Sequence, residues 1–185
     1  MTEKVKPAKT AVIVIDLQKG NLVNAYDVEG VVERTAKLVE RARSENVPVI
    51  WVQHNDEELP LGSPEWEMHD ALVPEQGENK IDKVWSDSFQ ETGLEEILRE
   101  LGIERLVIAG AATDFCIRNT WHSALQRGFD TVLVEDAHTT ESSEFDGVAL
   151  PAETIIQFTN RYAYFGSEYP GRTGTSAKHD EIILS

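Results

Sequence analysis

Apolar and polar positions follow one another in blocks along this chain. Ala11 to Ile15 reads AVIVI, an unbroken, largely β-branched run that ends at Asp16, the pattern of a strand buried on both faces of a parallel sheet. Val28 to Ser44 then sets Val31, Val32, Ala36, Leu38, Val39 and Ala42 among charged residues at helical spacing, and Asn46 and Pro48 stop that helix. Further strands are expected at Val49 to Gln53, Ile81 to Val84, Arg105 to Ala109 and Thr131 to Glu135, with Glu181 to Leu184 as a closing strand. Helices are expected at Gly93 to Leu101, at Asp114 to Arg127 and at Pro151 to Tyr162, the first two closed by Gly102 and Gly128. Regular alternation of strand and helix predicts an α/β fold. All 185 residues are expected in a single domain, a three-layer α/β/α sandwich on a mostly parallel, Rossmann-like sheet with right-handed crossovers.

One stretch departs from the alternation. Glu57 to Glu78 is rich in Pro, Gly and acidic residues, with a helical hint only around Glu65 to Leu72. A connection of that length reads as a functional loop covering a pocket.

Composition narrows the partners. Seventeen Lys and Arg against 33 Asp and Glu give a net charge of −16, with a pI near 4.6, which argues against nucleic acid and against an anionic membrane surface. No run approaches the ~20 apolar residues of a membrane span, and the N-terminus lacks the apolar stretch of a signal peptide. The single cysteine, Cys116, cannot form an internal disulfide or a multi-thiolate zinc site, so a reducing cytoplasm is the expected location.

Chemistry is sought beyond the carboxyl ends of the strands, where open α/β sheets bind ligands. Asp16 ends the first strand, Lys83 lies in the third, and Cys116 follows the fourth by a turn containing Gly110, Ala111, Ala112 and Thr113. A thiol nucleophile needs a proton acceptor and a positive environment. Asp16 supplies the first, Lys83 the second, and backbone amides near Ala112 and Cys116 suit a developing oxyanion. On this reading Cys116 is a low-pKa thiol; the competing reading is a small buried apolar residue. A Cys116, His138 and Asp136 triad is a weaker alternative, because His138 sits in what reads as a plain polar connection. Thr113 and Asp114 read as N-cap candidates, and the acidic run Asp56 to Glu58 as solvated surface.

AGAATDFC at Ala109 to Cys116, IDLQ at Ile15 to Gln18 and KVWSDSF at Lys83 to Phe89 together resemble the isochorismatase-like cysteine hydrolases, a family that includes nicotinamidases and N-carbamoylsarcosine amidohydrolases. The resemblance runs from about Thr10 to about Thr140. It implies a catalytic Asp16, Lys83 and Cys116, a non-proline cis peptide between Ala111 and Ala112, and a homodimer or homotetramer. The chain also departs from the family. The Asp and His metal cluster of nicotinamidases is not reproduced, since His54 is followed by Asn55 and Asp56 and the next histidine is His69, so no metal or other cofactor is expected. Asn21 stands where many members carry an aromatic residue.

The expected activity is hydrolysis of a small-molecule amide or related C–N bond through a thioester. Vinyl ether hydrolysis of an isochorismate-like substrate is the alternative, and a noncatalytic or redox-sensing relative is a further one. Gln18, Asn21, His54, Trp66, Trp85 and Phe89 are the expected pocket residues, whereas Met68 and Trp121 read as packing.

Overall fold

Every residue of Thr10–Ile15 (β1) is buried in the computed structural model, which describes residues 8–165 and 168–185. The reason lies in the alternation of its side chains. Val12 and Val14 pack toward Val28–Ser44 (α1), while Ala11, Ile13 and Ile15 pack toward Leu94–Glu100 (α2) and Arg118–Gln126 (α3) on the opposite face. A strand with apolar side chains on both faces is stable only between two layers of helix.

The remaining strands are Val49–His54 (β2), Asn79–Lys83 (β3), Arg105–Ala111 (β4), Asp130–Thr139 (β5), Ser143–Phe145 (β6), Val148–Leu150 (β7), Glu168–Tyr169 (β8) and Arg172–Ala177 (β9), with Ala152–Phe165 (α4) between β7 and β8. The main sheet runs β3-β2-β1-β4-β5-β9-β8. All neighbours in it are parallel except β8, which lies antiparallel on β9. The sheet is thus mostly parallel and flanked by helices, as the alternating pattern predicts.

Register brings the chemistry to one edge. Ile15 pairs with Val52 on one side and with Gly110 on the other, and His54 pairs with Lys83, so the carboxyl ends of β1, β2, β3 and β4 lie side by side. Gly110 makes the β1–β4 approach possible: its φ is +138°, and a Cβ there would stand 2.0 Å from the Ile15 carbonyl oxygen.

Three expectations about the elements are corrected. Glu181–Leu184 is not a strand; Ile182 and Leu184 instead plug the core on the α1 side. Beyond β5 the sheet continues instead with β9, whose sequence RTGTSA is too polar to read as buried strand, and ends at β8. Residues 65–72 form no helix, and backbone pairing of Gln18 with Met68 holds that loop across the end of β1. The segment after Thr140 is not a plain connection but the exposed β6–β7 hairpin.

Candidate active site

Asp16 leaves β1 in the left-handed region, with φ of +52°, a conformation uncommon outside glycine. Its amide donates to the Val52 carbonyl at 2.9 Å. Lys83 is the last residue of β3, fixed at its carbonyl by the backbone and side-chain amides of Asn55 (2.9 and 3.1 Å). Cys116 sits in a π-helical turn, Thr113–Ile117, that leads into α3. In that turn the Ala112 carbonyl accepts from the amides of Phe115 (3.2 Å) and Ile117 (3.1 Å) and skips the Cys116 amide between them. The peptide bond joining Ala111 to Ala112 is cis.

These three side chains meet. Lys83 Nζ is 2.6 Å from Asp16 Oδ2 and 3.2 Å from Cys116 Sγ, and the lysine and aspartate side chains are almost wholly enclosed. His54 Nδ1 lies 3.3 Å from the same ammonium, and His54 Nε2 faces Asp56 Oδ2 at 3.1 Å. Burial pushes the Asp16 carboxyl above the ordinary carboxylate range, with Lys83 pulling the other way. Burial, and next the Asp16 charge, push the Cys116 thiol up to about 12. Burial thus works against the low-pKa expectation, while the Lys83 ammonium at 3.2 Å pulls the thiol in the expected direction. The three groups titrate as a set.

A cavity of about 600 Å³ opens above them, with Asp16, Asn21, His54, Ala112 and Cys116 in its wall. The other expected pocket residues lie elsewhere. Gln18 is fully buried and braces three segments: its amide nitrogen donates to the carbonyls of His54 (2.8 Å) and Trp66 (2.9 Å), and its oxygen accepts from the His54 amide (2.8 Å). Phe89 stacks on Phe129 in the core at a centroid distance of 6.0 Å. Trp85 is half-exposed and donates to Glu91. Trp66 contributes its backbone carbonyl to Gln18 and Gln53.

Sequence reasoning passed over Phe115, Val23, Asn24, Ser86, Thr140 and Glu141, all in the cavity wall. Phe115, one residue before the thiol and more than half exposed, was the position most open to being found. Asp56, Glu57 and Glu58 are exposed, as a solvated run should be, and Asp56 and Glu58 also border the cavity mouth.

The alternative triad is excluded by geometry. His138 is buried within β5, bonded to Thr113 Oγ1 and Asn160 Oδ1 at 2.8 Å each, while Asp136 pairs with His179 at 2.8 Å. Thr113 and Asp114 do not cap the helix. The Thr113 hydroxyl goes to His138, and Asp114 accepts from Thr140 at 2.7 Å.

Comparison with known proteins adds an independent line. The family model described as the isochorismatase domain matches residues 10–151. The chain is 31% identical over 139 residues to the secreted isochorismatase effector Isc1 of Verticillium dahliae, covering 69% of this chain and 71% of that protein. It is 29% identical over 205 aligned positions to the ureidoacrylate amidohydrolase RutB of Methylobacterium radiotolerans, covering 87% of this chain and 80% of that one. The crystal structure of an isochorismatase from Pseudomonas putida superimposes with a TM-score of 0.87 at 26% identity, covering 95% of this chain and 90% of that chain.

Proposed function

The chain belongs to the isochorismatase family of hydrolases, and from that premise we propose that it cleaves a small-molecule amide or related C–N bond through a thioester on Cys116. The observation that carries this reading is the contact of one ammonium, Lys83 Nζ, with both Asp16 Oδ2 (2.6 Å) and Cys116 Sγ (3.2 Å) at the floor of a cavity. The amidohydrolase among its relatives supports the same bond class.

Asp16 takes the thiol proton as Cys116 Sγ attacks the carbonyl carbon. A carboxylate made more basic by burial suits this step, since a general base works best with a pKa raised toward the working pH. Lys83 compensates the negative charge as it shifts from oxygen to sulfur. The Ala112 and Cys116 amides receive the oxyanion. The amine leaves with the proton held by Asp16, the C–N bond breaks, and the thioester remains. Water then gives a proton to Asp16, attacks the thioester and releases the acid, and the thiol is restored. No step draws on a metal, so prolonged chelation is expected to leave turnover intact.

Intact-mass spectrometry during turnover of a screen of simple amides, ureido compounds and cyclic amides tests this directly. A mass increment on Cys116 equal to the acyl group, absent in Cys116→Ala, is the expected result. Hydrolysis that survives Cys116→Ala would end the proposal. The isochorismatase among the relatives favours one second reading, vinyl ether hydrolysis, which the same screen detects as pyruvate instead of an amine.

A further inference from the structure

The Lys83 side chain is wholly enclosed, and its ammonium has three N–H groups to place and no acceptor. Asp16 Oδ2 at 2.6 Å and Cys116 Sγ at 3.2 Å take two of them. The third is met by His54 Nδ1 at 3.3 Å. Strand pairing makes this contact, because His54 is the register partner of Lys83 across β2 and β3 and paired residues of neighbouring strands put their side chains on one face of the sheet. Gln18 fixes the His54 backbone: its oxygen accepts from the His54 amide and its nitrogen donates to the His54 carbonyl, at 2.8 Å each.

The same contact fixes the state of the ring. Only a bare Nδ1 can accept from an ammonium, so the imidazole is neutral and its proton is on Nε2, which donates to Asp56 Oδ2 at 3.1 Å. Asp56 is itself held. The Glu58 and Leu59 amides donate to its Oδ1 at 2.8 Å each, which leaves Oδ2 for the ring. The Leu59 amide foremost keeps the carboxyl below the ordinary range, as a carboxylate. A chain of contacts thus runs from Asp56 through His54 to Lys83 and ends at the thiol and its proton acceptor.

We propose that His54 is the positioning residue of Lys83: its neutral ring, held in one tautomer by Asp56, takes the third N–H of the ammonium and so keeps the other two on Asp16 and Cys116. The assignment rests on the thiol chemistry proposed above and deepens it. His54 lines the cavity, so with the ring gone the third N–H turns to cavity water and the ammonium is free to swing from the sulfur. A cation held beside a thiol favours the thiolate, and one that drifts away does so less.

The test uses iodoacetamide, a probe that needs no substrate, with the second-order rate of Cys116 labelling followed by intact mass across pH. The midpoint of the profile is read rather than its height, so that a change in access, which scales the whole profile, drops out. His54→Leu fills the space of the ring without an acceptor and is expected to move the midpoint up by about one pH unit, the tenfold weight of one hydrogen bond to a charged group. His54→Asn sets an oxygen near the place of Nδ1 and is expected to recover most of that shift. In Asp56→Asn the side-chain oxygen stays with the two amides, so the NH2 group faces Nε2, reverses the tautomer and turns an N–H toward Lys83. That variant is expected to move the midpoint up as His54→Leu does, although it alters no atom in contact with Lys83 or Cys116. Loss of a nearby negative charge alone would move it down. With an amide found in the screen above, His54→Leu is expected to lower kcat and leave KM near the wild-type value. An unmoved midpoint in His54→Leu, a downward one in Asp56→Asn, or a raised KM with kcat kept would overturn the assignment. Amide turnover with fixed midpoints sinks only this inference. Midpoints that shift as expected in a protein that hydrolyses no amide sink only the function proposed above.

Discussion

His138 Nδ1 lies 2.8 Å from the Thr113 hydroxyl, and the geometry fixes which of them donates. Asn160 donates its amide to the Glu135 carbonyl at 2.9 Å, so its oxygen is the group that faces His138 Nε2 at 2.8 Å. Nε2 therefore carries the proton and Nδ1 accepts from Thr113. A neutral imidazole in β5 thus holds the residue that opens the Cys116 turn.

The first prediction follows from that bond. Burial holds the His138 pKa down at about 4, against an ordinary 6.5. Between those values the unfolded chain binds a proton that the folded chain refuses, so this contribution to stability is present above 6.5 and is lost as pH falls toward 4. Asp16, with its raised pKa, acts in the opposite direction and is removed by comparison with a variant. The difference in urea-unfolding free energy between wild type and His138→Gln is expected to rise by about 3 kcal/mol from pH 4 to pH 7. A pH-independent difference would show that His138 does not titrate as described.

Charge around Cys116 separates the roles of its neighbours. Iodoacetamide is expected to label the wild-type thiol with a profile displaced to higher pH than free cysteine, because burial and the Asp16 charge both oppose the thiolate. Asp16→Asn removes one of these and moves the profile down, yet lowers amide turnover by ~10² to 10⁴ through loss of the proton acceptor. Lys83→Met moves the profile up. If Asp16→Asn labels as the wild type does and turns over normally, Asp16 is not the base.

Gly110→Ala is expected to lose several kcal/mol of stability or fail to fold. Its Cβ would meet the Ile15 carbonyl at 2.0 Å, and its φ of +138° is closed to alanine. Thermal unfolding measures this, and an unchanged melting temperature would contradict the close approach of β1 and β4.

Self-association is expected, as a dimer or tetramer. Phe145 and Val148 on the β6–β7 hairpin and Phe158 on α4 are large apolar side chains left mostly in contact with water, and symmetric pairing is the common way to cover such a surface. Light scattering at micromolar concentration checks the mass, and Phe145→Glu with Phe158→Glu is expected to shift it toward the monomer. A wild-type monomer would refute the expectation.

What the sequence by itself determined is the local and periodic part of this protein. The run AVIVI requires a strand covered on both faces, the helical spacing from Val28 to Ser44 matches α1 residue for residue, and strand ends mark Asp16, Lys83 and Cys116 as neighbours before any distance is known. Tertiary structure decided whatever depends on surroundings. Phe89 belongs to the core because Phe129, forty residues on, lies against it. Asp56 and Glu58 face a cavity because the loop from β2 folds back over β1. Polar β9 becomes a strand because β5 offers it a free edge, while apolar Ile182 and Leu184 find a core to fill without one. The charge state of Cys116 turns on the same point. A cation beside a thiol can be anticipated from order along the chain, but desolvation is a property of the assembled interior, and here it opposes the cation.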